Sequence, residues 1–187
     1  IDAGARFKFG IRTLDAPVFP TTGVLLDAEV SRALESLGAD QEFTEASLAA
    51  DAAFSLGRFS VVPGLQLYRS TGATEHLFAT QPLGGFWRLS GYGEHELLGQ
   101  EVGLARVVSY VELFELALAG LRTRMYAGAS VEAGNAWSAE DTPAIDDVLW
   151  SGSAFVGADT FFGPVYLGYG IGERGRDRWY LNIGASF

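Results

Sequence analysis

Along most of the chain, apolar residues alternate with polar or small ones at a period of two. At the C-terminus Trp179, Leu181, Ile183, Ala185 and Phe187 form one row, and Arg178, Tyr180, Asn182, Gly184 and Ser186 form the other. Val165, Leu167, Tyr169 and Ile171 alternate with Tyr166, Gly168, Gly170 and Gly172, and the charged stretch 173–177 between these runs reads as a hairpin loop. Leu121, Thr123, Met125, Ala127, Ala129, Val131 and Ala133 oppose Arg122, Arg124, Tyr126, Gly128, Ser130 and Glu132. Over 44–56 the even positions are apolar or small against Glu45, Ser47, Asp51 and Ser55. Val24, Leu26, Ala28 and Val30 oppose Asp27 and Glu29, and Ala3, Ala5, Phe7, Phe9 and Ile11 oppose Arg6, Lys8 and Arg12. Successive side chains on a strand point to opposite faces, so each run predicts a strand with one apolar and one polar face.

Nine strands are expected, near 3–13, 20–34, 43–56, 58–70, 101–113, 121–135, 148–161, 164–172 and 178–187. Segments 30–37 and 113–120 also fit short helices; the second is read as a turn region. Many of the strands reach ten residues, whereas soluble strands average about 5–6 and transmembrane strands need about 9–11. A soluble barrel or sandwich alternates too, with its apolar face turned inward. Strand length, the terminal aromatic, and Trp137, Trp150, Phe161, Phe162 and Trp179 near strand ends favour a membrane barrel with its polar face lining a lumen.

Composition narrows this further. No stretch approaches the roughly 18 uninterrupted apolar residues of a spanning helix. The longest uncharged runs, 148–158 and 160–172, carry the glycines and the proline that suit strands and turns. The net charge is −10, from 13 Lys and Arg against 23 Asp and Glu, which argues against nucleic acid as a partner. Cysteine is absent, so disulfides and thiolate metal sites are excluded. The sequence opens at Ile1 without Met, so a processed product or a part of a longer protein is expected.

Little here could carry catalysis. There is no Gly-x-Ser-x-Gly nucleophile elbow and no phosphate-binding Gly-x-x-x-x-Gly-Lys. His76 and His95 fall in one loop with no second ligand type at metal spacing, and they read as loop histidines. Asp27 and Glu29 share one strand face, which fits lumen polarity better than acid–base chemistry. No catalytic residue, metal or cofactor is therefore expected.

Segment 71–100 is too long for a hairpin, and loops of that length usually have a purpose. It contains Gln81-Pro82-Leu83-Gly84-Gly85-Phe86-Trp87-Arg88-Leu89-Ser90-Gly91-Tyr92, a glycine and aromatic cluster suited to a confined place. In Gly84, Gly85, Leu89, Gly91 and Tyr92 it resembles the sixth extracellular loop of the BamA/TamA-like surface-antigen barrels. Ser90 stands where that family carries Arg. The Leu-Ser-Gly-Tyr form is similar to the branch fused to patatin-like phospholipases. Phe19-Pro20-Thr21-Thr22-Gly23 resembles that branch's strand-opening motif. Segments 128–137 and 163–170 resemble two of its later strands, and Phe187 its terminal insertion signal.

The resemblance implies an all-β, antiparallel transmembrane barrel of about sixteen strands, of which residues 1–187 would be the C-terminal part. Missing strands, a partner chain or a second copy would complete it. Loop 71–100 would fold into the lumen, with Gly84, Gly85, Leu89, Ser90, Gly91 and Tyr92 packed against the wall. Glu112, Arg122, Arg124 and Glu132 are the candidate wall partners. Trp179, Leu181, Ile183 and Phe187 would face outer-membrane lipid or lipopolysaccharide and be read by the assembly machinery. The function implied is an anchor and translocation barrel for a patatin-like phospholipase in the bacterial outer membrane, with any lipase chemistry upstream. Two rivals are an assembly or secretion factor of the BamA/TamA type and a soluble ligand-binding barrel.

Overall fold

A computed structural model of the chain describes residues 3–40, 42–72, 80–118, 121–138, 140–141, 143–160 and 163–184. His76, Phe161, Phe162 and Phe187 lie outside the described residues. The fold is all-β. Its strands are β1 (Gly4–Arg12), β2 (Gly23–Ala33), β3 (Phe43–Leu56), β4 (Phe59–Thr71), β5 (Gln81–Leu83), β6 (Leu97–Gly99), β7 (Glu101–Leu118), β8 (Leu121–Trp137), β9 (Leu149–Thr160), β10 (Gly163–Gly172) and β11 (Asp177–Ile183). Nine of them form one antiparallel sheet in the order β1-β2-β3-β4-β7-β8-β9-β10-β11, while β5 and β6 make a small separate hairpin within the long loop. β1 and β11 stand at the two edges and do not pair with each other, so these strands form an open sheet.

The register puts every alternating row on a consistent face. Gly64 of β4 lies opposite Arg106 of β7, Arg106 opposite Glu132 of β8, Glu132 opposite Ser151 of β9, and Ser151 opposite Gly172 of β10. This face is buried from β4 to β10, where it carries Ser60, Ser70, Ser130, Glu132, Ser151 and Ser153 among apolar and aromatic side chains, and it is exposed at β1. The opposite face carries the apolar rows and is open. Trp179, Leu181 and Ile183 are 70%, 68% and 73% exposed, and Phe7, Val131, Trp150 and Val156 are exposed with them. The charged residues on the outward rows, Arg32, Arg69, Glu101 and Asp177, sit at the ends of their strands.

Two expectations need correction. Segment 113–120, read from sequence as a turn region, continues β7 to Leu118. A register shift between Glu112 and Phe114 inserts one residue there, so the apolar run re-enters the ladder opposite β8 with its alternation reset. The possible helix over 30–37 is instead the end of β2 followed by a short 3-10 turn, Glu35–Leu37, closed by Gly38 in the left-handed region (φ 100°).

The buried face holds two apolar clusters. One gathers Phe19, Val62, Val108, Tyr110, Tyr126, Phe155 and Tyr166, and the other Tyr68, Leu83, Leu89, Tyr92, Val102 and Leu104. Both draw on residues from connections as well as strands, so the interior is filled by chain folded over the sheet. Phe155 is buried, while its neighbour Val156 points to the open face. Phe155→Ala should therefore cost about 3–5 kcal/mol, and Val156→Ala only a fraction of that. Urea unfolding of the two variants checks this, with midpoints separating and the denaturant slope unchanged.

Candidate functional site

The long loop lies against the buried face and touches six successive strands. Backbone approach is what makes this fit possible. A Cβ on Gly170 or Gly91 would overlap backbone atoms of Ser90 and Gly172 respectively, so loop and β10 meet with no side chain between them. Gly168 leaves the hollow that the Phe86 ring fills. The loop itself is folded tightly: Gly84 and Gly85 have φ of 116° and 107°, and Trp87 and Leu89 sit in the left-handed region at 60° and 71°. That conformation costs a non-glycine residue about 1–2 kcal/mol, so packing must hold it in place. Leu89 is fully buried, and Trp87 lies within ring-contact distance of Phe86, Phe155, Tyr166 and Phe19.

At the centre of the contact is Glu132, whose side chain is fully buried. The Ser90 backbone N–H donates to its Oε2 at 2.5 Å and the Ser90 hydroxyl to its Oε1 at 2.6 Å. The Ser130 hydroxyl donates to Oε1 at 2.5 Å, which leaves the Ser153 hydroxyl to donate to Ser130 at 2.6 Å. Ser90 Oγ also accepts from the Trp87 N–H, tying the turn of the loop to the same point. Further clamps surround it. The Gly91 N–H donates to Ser151 Oγ at 3.1 Å, and the Tyr180 hydroxyl bonds the carbonyls of Ser90 and Tyr92 at 3.0 and 2.8 Å.

Arg106 lies directly opposite Glu132 in the ladder but does not pair with it. It salt-bridges Asp51 at 2.8 Å and donates to the Trp87 carbonyl at 3.3 Å. Arg88 turns back on its own hairpin and donates to the Pro82 carbonyl at 2.8 Å. At the rim, Glu96 receives the Gly93 N–H at 2.6 Å and pairs with Arg176 and with Arg178, the latter at 3.0 Å. Arg176 also lies over the Tyr92 ring, 4.8 Å from its centre. The Gly93 hydrogen bond, opposed by burial and helped by Arg176 and Arg178, holds the Glu96 carboxyl below the ordinary carboxylate value.

Gly84, Gly85, Leu89, Ser90, Gly91 and Tyr92 are thus gathered at one buried contact, and of the four candidate wall partners the structure brings only Glu132 to them. Glu112, Arg122 and Arg124 lie toward the other end of the sheet. Arg122 pairs with Glu115 and Arg124 with Asp159, and the Glu112 N–H bonds the Arg58 carbonyl. His95 is exposed in the loop, and among the described residues no group of His, Asp and Glu is arranged to hold a metal.

No family model matches the chain, and no curated protein is found similar to it. Sequence reasoning missed Arg106, Ser130, Ser151, Ser153 and Tyr180. Alternation places Ser130 and Tyr180 on polar faces, but Arg106 shares its row with Val102, Leu104, Val108 and Tyr110, and periodicity does not say where along a strand the loop will land.

Two outcomes are expected. Glu132→Ala leaves buried donors without an acceptor and should cost about 1–3 kcal/mol for each donor that finds no other partner, with protease cleavage between 84 and 100 accelerated. Glu132→Gln, which keeps an acceptor oxygen, should lose less by both measures. The second concerns the rim. Because the folded pKa of Glu96 lies below its ordinary value of 4.5, its contribution is complete above that pH and is lost as pH falls through the folded pKa. Hydrogen exchange of the loop amides, corrected for intrinsic rate, should rise below pH 4.5, and Glu96→Gln should remove that pH dependence.

Proposed function

We propose that this chain is the wall of a bacterial outer-membrane β-barrel of the BamA/TamA-like surface-antigen type, with the long loop folded inside as a plug. It would anchor, and form the translocation barrel for, a patatin-like phospholipase. The observation that carries this reading is the inversion of the sheet. Its apolar rows face outward and are exposed from β1 to β11, while from β4 to β10 the opposite rows, which hold its buried serines and Glu132, are covered by chain that folds back over them. A soluble barrel would place the Trp179, Leu181 and Ile183 row inside.

Dimensions support the same reading. The 12 residues of β9, at about 3.3 Å each and tilted near 45°, rise about 28 Å, close to the hydrocarbon thickness of roughly 30 Å. Outward charges are confined to strand ends, where they would reach the interface. Outward Trp150, Trp179 and Tyr169 gather toward the end that carries the long loop, in the manner of an interfacial aromatic girdle. The loop contact serves as a latch: Ser90 supplies through its amide and hydroxyl what an arginine would supply through a guanidinium, a set of donors for a wall carboxylate.

In hydrocarbon the backbone groups along the free edges of β1 and β11 need partners, so further strands flank both edges in the assembled barrel. The wall itself carries out no chemistry in this reading, and a purified chain that hydrolysed phospholipid above background would contradict it. The direct test is quenching of tryptophan fluorescence by brominated lipid. Of the four tryptophans, Trp150 and Trp179 are exposed on the outward face, Trp137 ends β8 half-buried on that same face, and Trp87 lies inside. Replacing Trp150 and Trp179 by Phe should remove most of the quenching, and Trp87→Phe should leave it. Recovery of the protein in the soluble fraction, or quenching insensitive to Trp150 and Trp179, would sink the proposal.

A further inference from the structure

The long loop is not the only connection that enters the interior. Phe19 belongs to the 13–22 connection between β1 and β2, yet it is buried among side chains of β7, β8 and β9. Its ring stacks on Tyr126 (centroids 4.5 Å apart) and on Phe155 (6.2 Å), and meets Tyr110 edge-on at 5.6 Å. Its seat is glycine: a Cβ on Gly157 would stand 2.5 Å from Phe19 Cζ. The tip of the ring therefore rests on bare backbone of β9.

The two connections come from opposite ends. In an all-antiparallel sheet, the connection after the first strand and the one after the fourth leave from opposite edges of the strand ends, and here those are 13–22 and the long loop. They meet in the middle, where Phe19 and Trp87 stand edge to face with centroids 6.4 Å apart. Along the inward rows the order is Glu132, then the Gly168 hollow filled by Phe86, then the Gly157 seat filled by Phe19.

The short connection is also tied down. The Asp15 carboxylate accepts from the Thr21 N–H (2.7 Å), the Thr21 hydroxyl (2.5 Å) and the Thr22 N–H (3.1 Å). Ser55 Oγ donates to the Thr21 carbonyl, and the Tyr110 hydroxyl to the Pro20 carbonyl. Pro17 and Pro20 restrict the unfolded ensemble of the same stretch. Gly23 has φ of 105° and no room for a Cβ beside the Thr13 carbonyl, which turns the chain sharply back into β2. The sequence run Phe19-Pro20-Thr21-Thr22-Gly23 is thus a built device: an aromatic plug, a rigid stem and a hinge turn.

We propose that the 13–22 connection is a second plug, entering the interior from the end opposite the long loop, with Phe19 as its sealing residue. Releasing the Ser90–Glu132 latch then opens only one end, and a clear path needs both connections withdrawn. This rests on reading the buried face as a barrel interior.

The chain has no cysteine, so single reporters can be placed cleanly. Ala53→Cys reports the cluster around Phe19, and Ser153→Cys reports the wall near the long loop; both positions are buried in the parent. Reaction with a bulky maleimide is followed on the protein in native membranes and after detergent extraction. Phe19→Ala should accelerate labelling at position 53 at least tenfold while position 153 stays slow. Phe86→Ala with Trp87→Ala should do the reverse. Gly157→Ala, which unseats Phe19 without altering it, should act like Phe19→Ala. The proposal is overturned if neither Phe19→Ala nor Gly157→Ala changes the rate at position 53. It is equally overturned if the loop substitutions alone expose both thiols, or if acceleration comes only with loss of the heat-modifiable folded band. Failure of the membrane reading would show in fractionation and tryptophan quenching and would leave these rates interpretable.

Discussion

Glu132 is a carboxylate at the centre of a packed interior, and its charge is answered by hydrogen-bond donors where a salt bridge would be expected. A buried carboxylate without donors is costly by several kcal/mol. Of its three donors, two belong to Ser90, so the charge is tolerable only while the long loop is in place. The loop in turn contains residues in left-handed conformations that would relax if it were free. Each side holds the other in a state it would not adopt alone, which is the physical basis for the latch proposed above. Arg106 completes the logic by absence: facing Glu132 across the ladder, it is engaged by Asp51 and the Trp87 carbonyl, and so leaves the carboxylate to the loop.

The inverted sheet follows from the same requirement. A polar face that must be buried needs chain with its own donors and acceptors to cover it, and the two connections supply backbone carbonyls, amides and aromatic rings. Glycine on the wall sets where they land. Gly168, Gly170 and Gly172 of β10 line the path of the long loop, and Gly157 of β9 the seat of Phe19. Toward β1 the covering chain runs out, and the polar face is satisfied by ion pairs between neighbouring strands, Arg12 with Asp27 and Arg6 and Lys8 with Glu29.

Much of this was legible in the sequence, because strand alternation reports a backbone geometry that tertiary context seldom changes. The rows around Trp179 and Val131 could be assigned to one face from periodicity, and the nine strands of the sheet fall near the expected positions. The extension of β7 past Glu112 was not legible, since a bulge shifts the period by one residue and makes a continuing strand look like a break. Among the candidate partners, Arg122 and Arg124 share a face with Glu132, so alternation could not choose between them. The choice depended on height along β8, which is fixed by where the glycines of β10 admit the loop. Phe19 was visible only as part of a motif. Its burial depends on strands far away in sequence, and no local pattern announces that.

Strand direction also constrains how the proposed outer-membrane barrel would be completed. β1 and β11 are the first and ninth members of an antiparallel series, so they run the same way. A second copy related by a two-fold axis along the strands would keep that direction and meet the first at two parallel seams. An axis across the strands would make the seams antiparallel but would turn one copy upside down in the bilayer, with its charged strand ends and long loop on the wrong side. An odd number of additional strands avoids both problems, because every seam is then antiparallel and the total is even, as in bacterial single-chain barrels. The edges thus favour a completing segment of alternating strands over self-association, and they do so from direction alone, whatever the segment's sequence.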